Sequence, residues 1–178
     1  ELITYLSSTF SLNNQIVPMQ GDILTMEMPS ESYDGLYSML VILHLPIERR
    51  MELFNKFYTV LKSNAGIYIE DFFLLHEVTE SEQKSLKEDV YCNGLPTKEE
   101  YIDTLTKAGF IDIEFVDYST RWTEFVEERC GIFIKDREII VKKYNTTTYD
   151  SLLHFYSAIV KLFKAGNVGG CVIYAKKA

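Results

Sequence analysis

Gly21-Asp22-Ile23, Tyr33-Asp34-Gly35-Leu36-Tyr37-Ser38 and Leu43-His44 lie within the stretch Gly21 to Asp71, whose reading decides the fold. The stretch reads as the end of a strand, a turn, a buried strand, a short loop, an amphipathic helix and a second buried strand. Asp22 closes the first strand, Tyr37 to His44 leave the second, and Glu70-Asp71 end the third. In a parallel α/β sheet, ligands bind at the carboxyl ends of strands. Polar groups at three such ends therefore outline a small-molecule crevice.

Working outward, Asp34 to Leu40 has the near-continuous apolar character of a strand covered on both faces. Pro46 suits the first turn of a helix. The helix then places Ile47, Met51, Phe54, Tyr58 and Leu61 on one face, with Glu48, Arg49, Arg50, Asn55 and Lys56 on much of the other. Ser63-Asn64-Ala65-Gly66 reads as a turn and Ile67 to Phe73 as a strand, which completes a right-handed crossover unit. Before this block, Leu2, Leu6 and Phe10 predict the tail of a helix over 1–10. Asn13-Asn14 predict a turn and Gln15 to Met19 a short strand, while Met26 to Ser32 is a surface loop.

After it, Thr79 to Glu82 and Thr97 to Glu100 both have the capping-box pattern, so helices are expected near 80–90 and after Thr97. Gly109 stops the second of these, and Ile111, Ile113 and Phe115 alternate with Asp112 and Glu114 as a strand. Helices over 120–143 and 148–164 follow, with Asn145-Thr146-Thr147 as the turn that starts the latter. A last strand runs from Cys171 to Ala175.

The 178 residues are 47% hydrophobic and 13% aromatic, enough for one domain, 1–178, with a real core. A formal charge of −8 argues against nucleic acid and against an anionic membrane surface, both of which want clustered Lys and Arg. No apolar run reaches the ~20 residues of a membrane span, and the first residues carry no basic segment of a secretory signal. Cys92, Cys130 and Cys171 are odd in number and far apart, which fits reduced thiols and a cytoplasmic setting. His44, His76 and His154 lack metal-ligand spacing.

The order and spacing of several pieces resemble the class I S-adenosylmethionine-dependent methyltransferases, over about 15–178. The pieces are Gly21-Asp22-Ile23, Tyr33 to Ser38 with Leu43-His44, Leu61 to Gly66 followed by Ile67 to Asp71, Leu95-Pro96-Thr97 with Glu100-Tyr101, and Ala108-Gly109-Phe110. The small-amine branch, that of phosphoethanolamine and sarcosine/dimethylglycine methyltransferases, looks most similar. The resemblance implies a Rossmann-like α/β sheet with extra C-terminal helices and a final strand, and S-adenosylmethionine as cofactor. It implies cofactor contacts at Asp22 and Ile23, on the adenine, and at Ser38. His44 is implied as the group that positions or deprotonates an amine acceptor, with Asp71, Trp122 and Tyr156 at the acceptor. Read without the resemblance, Asp22 is a turn residue, His44 a half-buried residue before a helix, and Trp122 and Tyr156 core packing.

The departures are as informative. The family's polar pair in the loop after Ser38 is Met39-Leu40 here, which removes a carboxylate. No G-x-G occurs at any position, and no pair of strands precedes residue 15 to carry such a turn. In the family order 3-2-1-4-5-7-6, the sheet as given lacks its first two strands, and the strand at Leu36 has an open apolar edge. Two expectations follow: a domain whose N-terminal part lies outside this sequence, or an edge covered by another chain or by a rearranged sheet. Three functions remain open: methyl transfer to a small amine, a degenerate methyltransferase fold serving as a structural or regulatory subunit, and an unrelated α/β binding domain.

Overall fold

The computed structural model describes residues 8–12 and 15–178. The expected Leu2–Leu6 helical face and the Asn13-Asn14 turn lie outside these. Among the described residues four strands form one sheet: β1 (Tyr33–Met39), β2 (Leu61–Leu74), β3 (Phe110–Asp117) and β4 (Val168–Lys177). Their spatial order is β1-β2-β4-β3. β1 pairs parallel with β2, while β4 runs antiparallel to both β2 and β3. This order corresponds to the 4-5-7-6 portion of the expected sheet.

The helices that follow β1 are α1 (Ile47–Val60), α2 (Glu80–Glu88), α3 (Lys98–Lys107), α4 (Ser119–Lys135), α5 (Arg137–Lys143) and α6 (Thr146–Ala165). Both capping boxes form as read: Thr79 with Glu82 starts α2, and Thr97 with Glu100 starts α3. Asn145 Oδ1 accepts the N–H of Thr148 at 2.7 Å to start α6, and left-handed Gly166 (φ 81°) ends it.

The sheet divides the core in two. On one face Ile67, Ile69, Phe73, Ile173 and Ala175 pack against Leu53, Phe54 and Phe57 of α1 and against Tyr101 and Leu105 of α3. On the other, Phe72 and Val168 pack with Leu86, Ile159, Leu162 and Phe163 of α2 and α6. Trp122 of α4 joins them, 5.9 Å from the Phe72 ring centroid.

Several expectations are corrected. Gln15 to Met19 is not a strand, and Asp22 therefore closes none. A strand needs a neighbour for its ladder, and no described strand pairs there; Val17 is 78% exposed. β1 is not covered on both faces: Tyr37 is 76% exposed and Met39, Leu40 and Val41 are exposed beside it, because nothing described packs over that face. The buried stripe of α1 is rotated from the expected one, to Arg50, Leu53, Phe54, Phe57 and Val60, leaving Ile47 exposed. Arg50 is buried with its Nη2 donating to the carbonyls of Gly94 (2.6 Å) and Leu45 (3.4 Å), while its Nε and Nη1 have no hydrogen-bond partner. The 63–66 turn is an irregularity inside continuous β2, with Asn64 at φ 65°. The expected 120–143 helix bends at Asp136 (ψ 13°) into α4 and α5, where an aspartate prefers a helix terminus to an interior.

Candidate functional site

Residues of β2 alternate between the two faces. Tyr68, Glu70 and Phe72 face α4 and α6, while Ile69, Asp71 and Phe73 face α1 and α3. The register adds Tyr174, Val172 and Gly170 of β4 opposite the first three. Above them α4 brings Trp122, and α6 brings Tyr156 and Phe155. Together these enclose a cavity of about 560 Å3, to which Leu40, at the end of β1, also contributes. The lining is mostly aromatic. Its charged groups are one carboxylate, Glu70, and two guanidiniums, Arg121 and Arg129.

The seat of Trp122 depends on a glycine. The indole lies against the Gly170 backbone, where any side chain would collide with it. Phe163, centred 5.0 Å from Phe72 and 6.3 Å from Trp122, backs both rings. Tyr68 packs edge-on to Tyr174 at 5.2 Å, and its hydroxyl donates to Glu70 Oε1. That hydrogen bond first, then burial and the nearby negative charge, push the Tyr68 phenol up to about 12.

Asp71, the neighbour of Glu70, points the other way. The resemblance implied Asp71 at the acceptor. Glu70 lines the cavity, but Asp71 is fully buried beneath the sheet, so it does not line it. Asp71 Oδ2 accepts the Tyr101 hydroxyl at 2.8 Å, and its Oδ1 makes no full hydrogen bond. Burial raises its pKa to about 6; the Tyr101 hydroxyl and the Arg50 charge pull it down by less.

His44 ends a short 3-10 turn, Ile42–His44, beyond β1. Its exposed ring does not line the cavity. Its Nδ1 is 3.0 Å from the carbonyl of Tyr91. A carbonyl only accepts, so in the neutral ring Nδ1 carries the hydrogen and Nε2 is the basic nitrogen. The loop is stapled from the other side as well: Asn93 Nδ2 donates to the His44 carbonyl at 2.7 Å, and the Asn93 N–H to the Leu43 carbonyl at 3.1 Å. Leu40 (φ 54°) and Tyr91 (φ 57°) are held in the left-handed region at the two ends of this arrangement. Such strain costs about 1 kcal/mol or more per residue and concentrates at functional sites.

The implied cofactor residues are placed elsewhere. Asp22 is exposed in a turn, its Oδ1 accepting the Leu24 N–H at 2.9 Å, and Ile23 is half-buried against the core beside α1. Lys56 of α1 ties this segment down through the carbonyls of Leu24 and Met26. Ser38 is buried on the α1 side of β1, opposite Ile69 in register. Trp122, Tyr156 and Glu70 are thus brought together; Asp22, Ile23, Ser38, His44 and Asp71 stand apart from that cavity. Tyr68, Phe72 and Tyr174 were missed by the sequence reading. The alternation around Glu70 was their signal in β2. Arg50, the buried anchor of the His44 loop, gave no signal, because it sat among charged neighbours.

No protein-family model matches the chain. Phosphoethanolamine N-methyltransferase of Plasmodium falciparum is 29% identical over 162 residues, which is 90% of this chain and 60% of that protein. Phosphoethanolamine N-methyltransferase 1 of Triticum aestivum is 28% identical over 148 residues, 82% of this chain and 29% of that protein. The chain therefore spans 60% and 29% of the length of these two relatives. Phosphoethanolamine N-methyltransferase 2 of Haemonchus contortus, solved with phosphomonomethylethanolamine and S-adenosylhomocysteine, superposes with a TM-score of 0.79 at 24% identity, over 88% of this chain and 36% of that one. A Galdieria sulphuraria protein described as a sarcosine dimethylglycine methyltransferase gives 0.83 at 16% identity, over 98% of this chain and 64% of that one. In sequence and in fold, this chain matches the C-terminal part of a class I S-adenosylmethionine-dependent methyltransferase.

Proposed function

We propose that this chain is the acceptor-binding part of an S-adenosylmethionine-dependent methyltransferase acting on a small amine, working in a reducing, cytoplasmic setting. The observation that carries the reading is the aromatic cavity with Glu70 at its base. Aromatic faces attract a cation, and the attraction grows when water is excluded. A carboxylate beside them completes a site for an ammonium group. Arg121 and Arg129 supply a place for an anionic group on the same acceptor.

The residues here fit the cofactor only in part. Asp22 presents an exposed carboxylate and Ile23 an apolar neighbour, a donor set suited to the edge and face of an adenine; Ser38 completes the implied set. A glycine-rich turn and a ribose-binding carboxylate would come from residues outside this sequence. When bound, S-adenosylmethionine supplies an electrophilic methyl group on a sulfonium. The chain's own part is to hold the amine, exclude water and receive its proton. The proton that the amine must lose before or as it is methylated is the one the resemblance assigns to His44, whose basic Nε2 lies outside the cavity lining.

The open edge of β1, with Tyr37, Met39 and Val41 exposed, supports a covering element, either further residues of the same protein or a partner chain. The same observation favours a second reading, in which the fold serves as a structural or regulatory subunit. Calorimetry of S-adenosylhomocysteine on the whole protein separates the two. Micromolar binding, roughly −8 kcal/mol, with methyl transfer to an amine detected by mass spectrometry supports the enzyme. No binding by the intact protein sinks it and leaves the subunit.

A further inference from the structure

The cavity does not end at the sheet. A second, shallower groove of about 470 Å3 lies between α4, α5 and α6. It shares three lining residues with the cavity, Phe125, Arg129 and Tyr156. Its walls are Ile132 and Phe133 of α4 and Ile140 of α5, with Glu128 and Asp136 on the rim. The bend at Asp136 sets Ile140 across from Phe133, whose ring is held by stacking on Tyr149 at 5.0 Å and by Tyr156. Phe125 and Ile132 are 57% and 50% exposed, so an apolar path leaves the cavity along α4.

Size argues in the same direction. A cavity of about 560 Å3 suits a ligand of drug-like dimensions. An amine of a few heavy atoms would leave most of the aromatic wall in contact with water. Apolar walls that remain wet in the complex contribute nothing to binding. Glu70 lines the cavity and not the groove, whereas Arg129 lines both.

We propose that the acceptor is an amphiphilic amine, with its ammonium head at Glu70 and an apolar tail that passes Phe125 and Tyr156 into the groove over Ile132 and Ile140. The proposal rests on the amine-acceptor reading above and narrows it to long-tailed amines.

The test is calorimetry on the whole protein, without cofactor, using N,N-dimethylalkylamines from ethyl to octyl below their aggregation concentrations. Affinity should tighten roughly three- to fourfold per added methylene, the value of burying one. Ile132→Asp should bring the octyl-to-ethyl affinity ratio down toward one, and Ile132→Ala should bring it down only in part. An affinity independent of tail length overturns the proposal. So does a steep series that Ile132→Asp leaves unchanged, which would place the tail elsewhere. Methyl transfer is scored separately by product mass. A flat series with transfer to short amines intact overturns the tail alone. A steep series with no transfer overturns the transfer reading and leaves the tail.

Discussion

A Cβ on Gly170 would lie 2.1 Å from Cε3 of Trp122, so the indole occupies the space that any other residue at 170 would fill. One strand residue thereby sets the position of the ring that forms the cavity roof. Gly170→Ala should push Trp122 outward and cost about 1–3 kcal/mol through overpacking. Urea denaturation gives the cost, and the shift in tryptophan fluorescence reports the ring. Unchanged fluorescence with unchanged amine binding would show that the backbone yields instead.

Asp71 should make stability depend on pH. Its carboxyl titrates at 3.8 when free and at about 6 in the fold. The folded state holds the proton more tightly, so this group's contribution is present below the unfolded value and lost as pH rises through the folded one. The gap corresponds to about 3 kcal/mol. Relative to the parent, Asp71→Asn should gain up to that amount in unfolding free energy between acid and neutral pH. A difference between the two proteins that stays constant with pH would mean that Asp71 titrates alike in the folded and unfolded states.

Glu70→Gln should weaken amine binding by about 1.5–3 kcal/mol, the worth of a hydrogen bond to a charged group, and should raise KM more than it lowers kcat. The same substitution should let the Tyr68 phenol fall from about 12 back toward 10.0, because its hydrogen-bonded anion is gone. Ultraviolet titration of tyrosinate reads this without any substrate. A phenol that stays near 12 would mean that burial, not Glu70, holds it there.

His44→Gln should lower turnover about 100-fold or more while changing acceptor KM little, as expected when a proton acceptor is removed. Asn93→Ala should lower it less, since the Tyr91 carbonyl still orients the ring. Equal loss in both variants would point to the loop's position rather than to proton transfer at Nε2.

Local signals in the sequence were enough to define most elements. Thr79 with Glu82, Thr97 with Glu100, and Asn145 mark helix starts because a capping side chain acts within one turn of its own position. Pairing was not local. Gln15 to Met19 has a strand's composition, but a strand exists only where a neighbour completes its hydrogen bonds, and no described neighbour is there.

The apolar β1–α1–β2 order predicted the parallel crossover, while the order of the remaining strands came from the resemblance and not from periodicity. Only the tertiary structure decided what each polar residue does. Glu70 and Asp71 are adjacent and chemically alike, yet one lines an aromatic cavity and the other is sealed beneath the sheet with its pKa raised. Arg50 stands among charged neighbours and is nevertheless buried, at 3% exposure. The physical reason is that burying a charge depends on distant partners: the Gly94 carbonyl for Arg50 and the Tyr101 hydroxyl for Asp71. Those partners are brought into place only when the chain has folded.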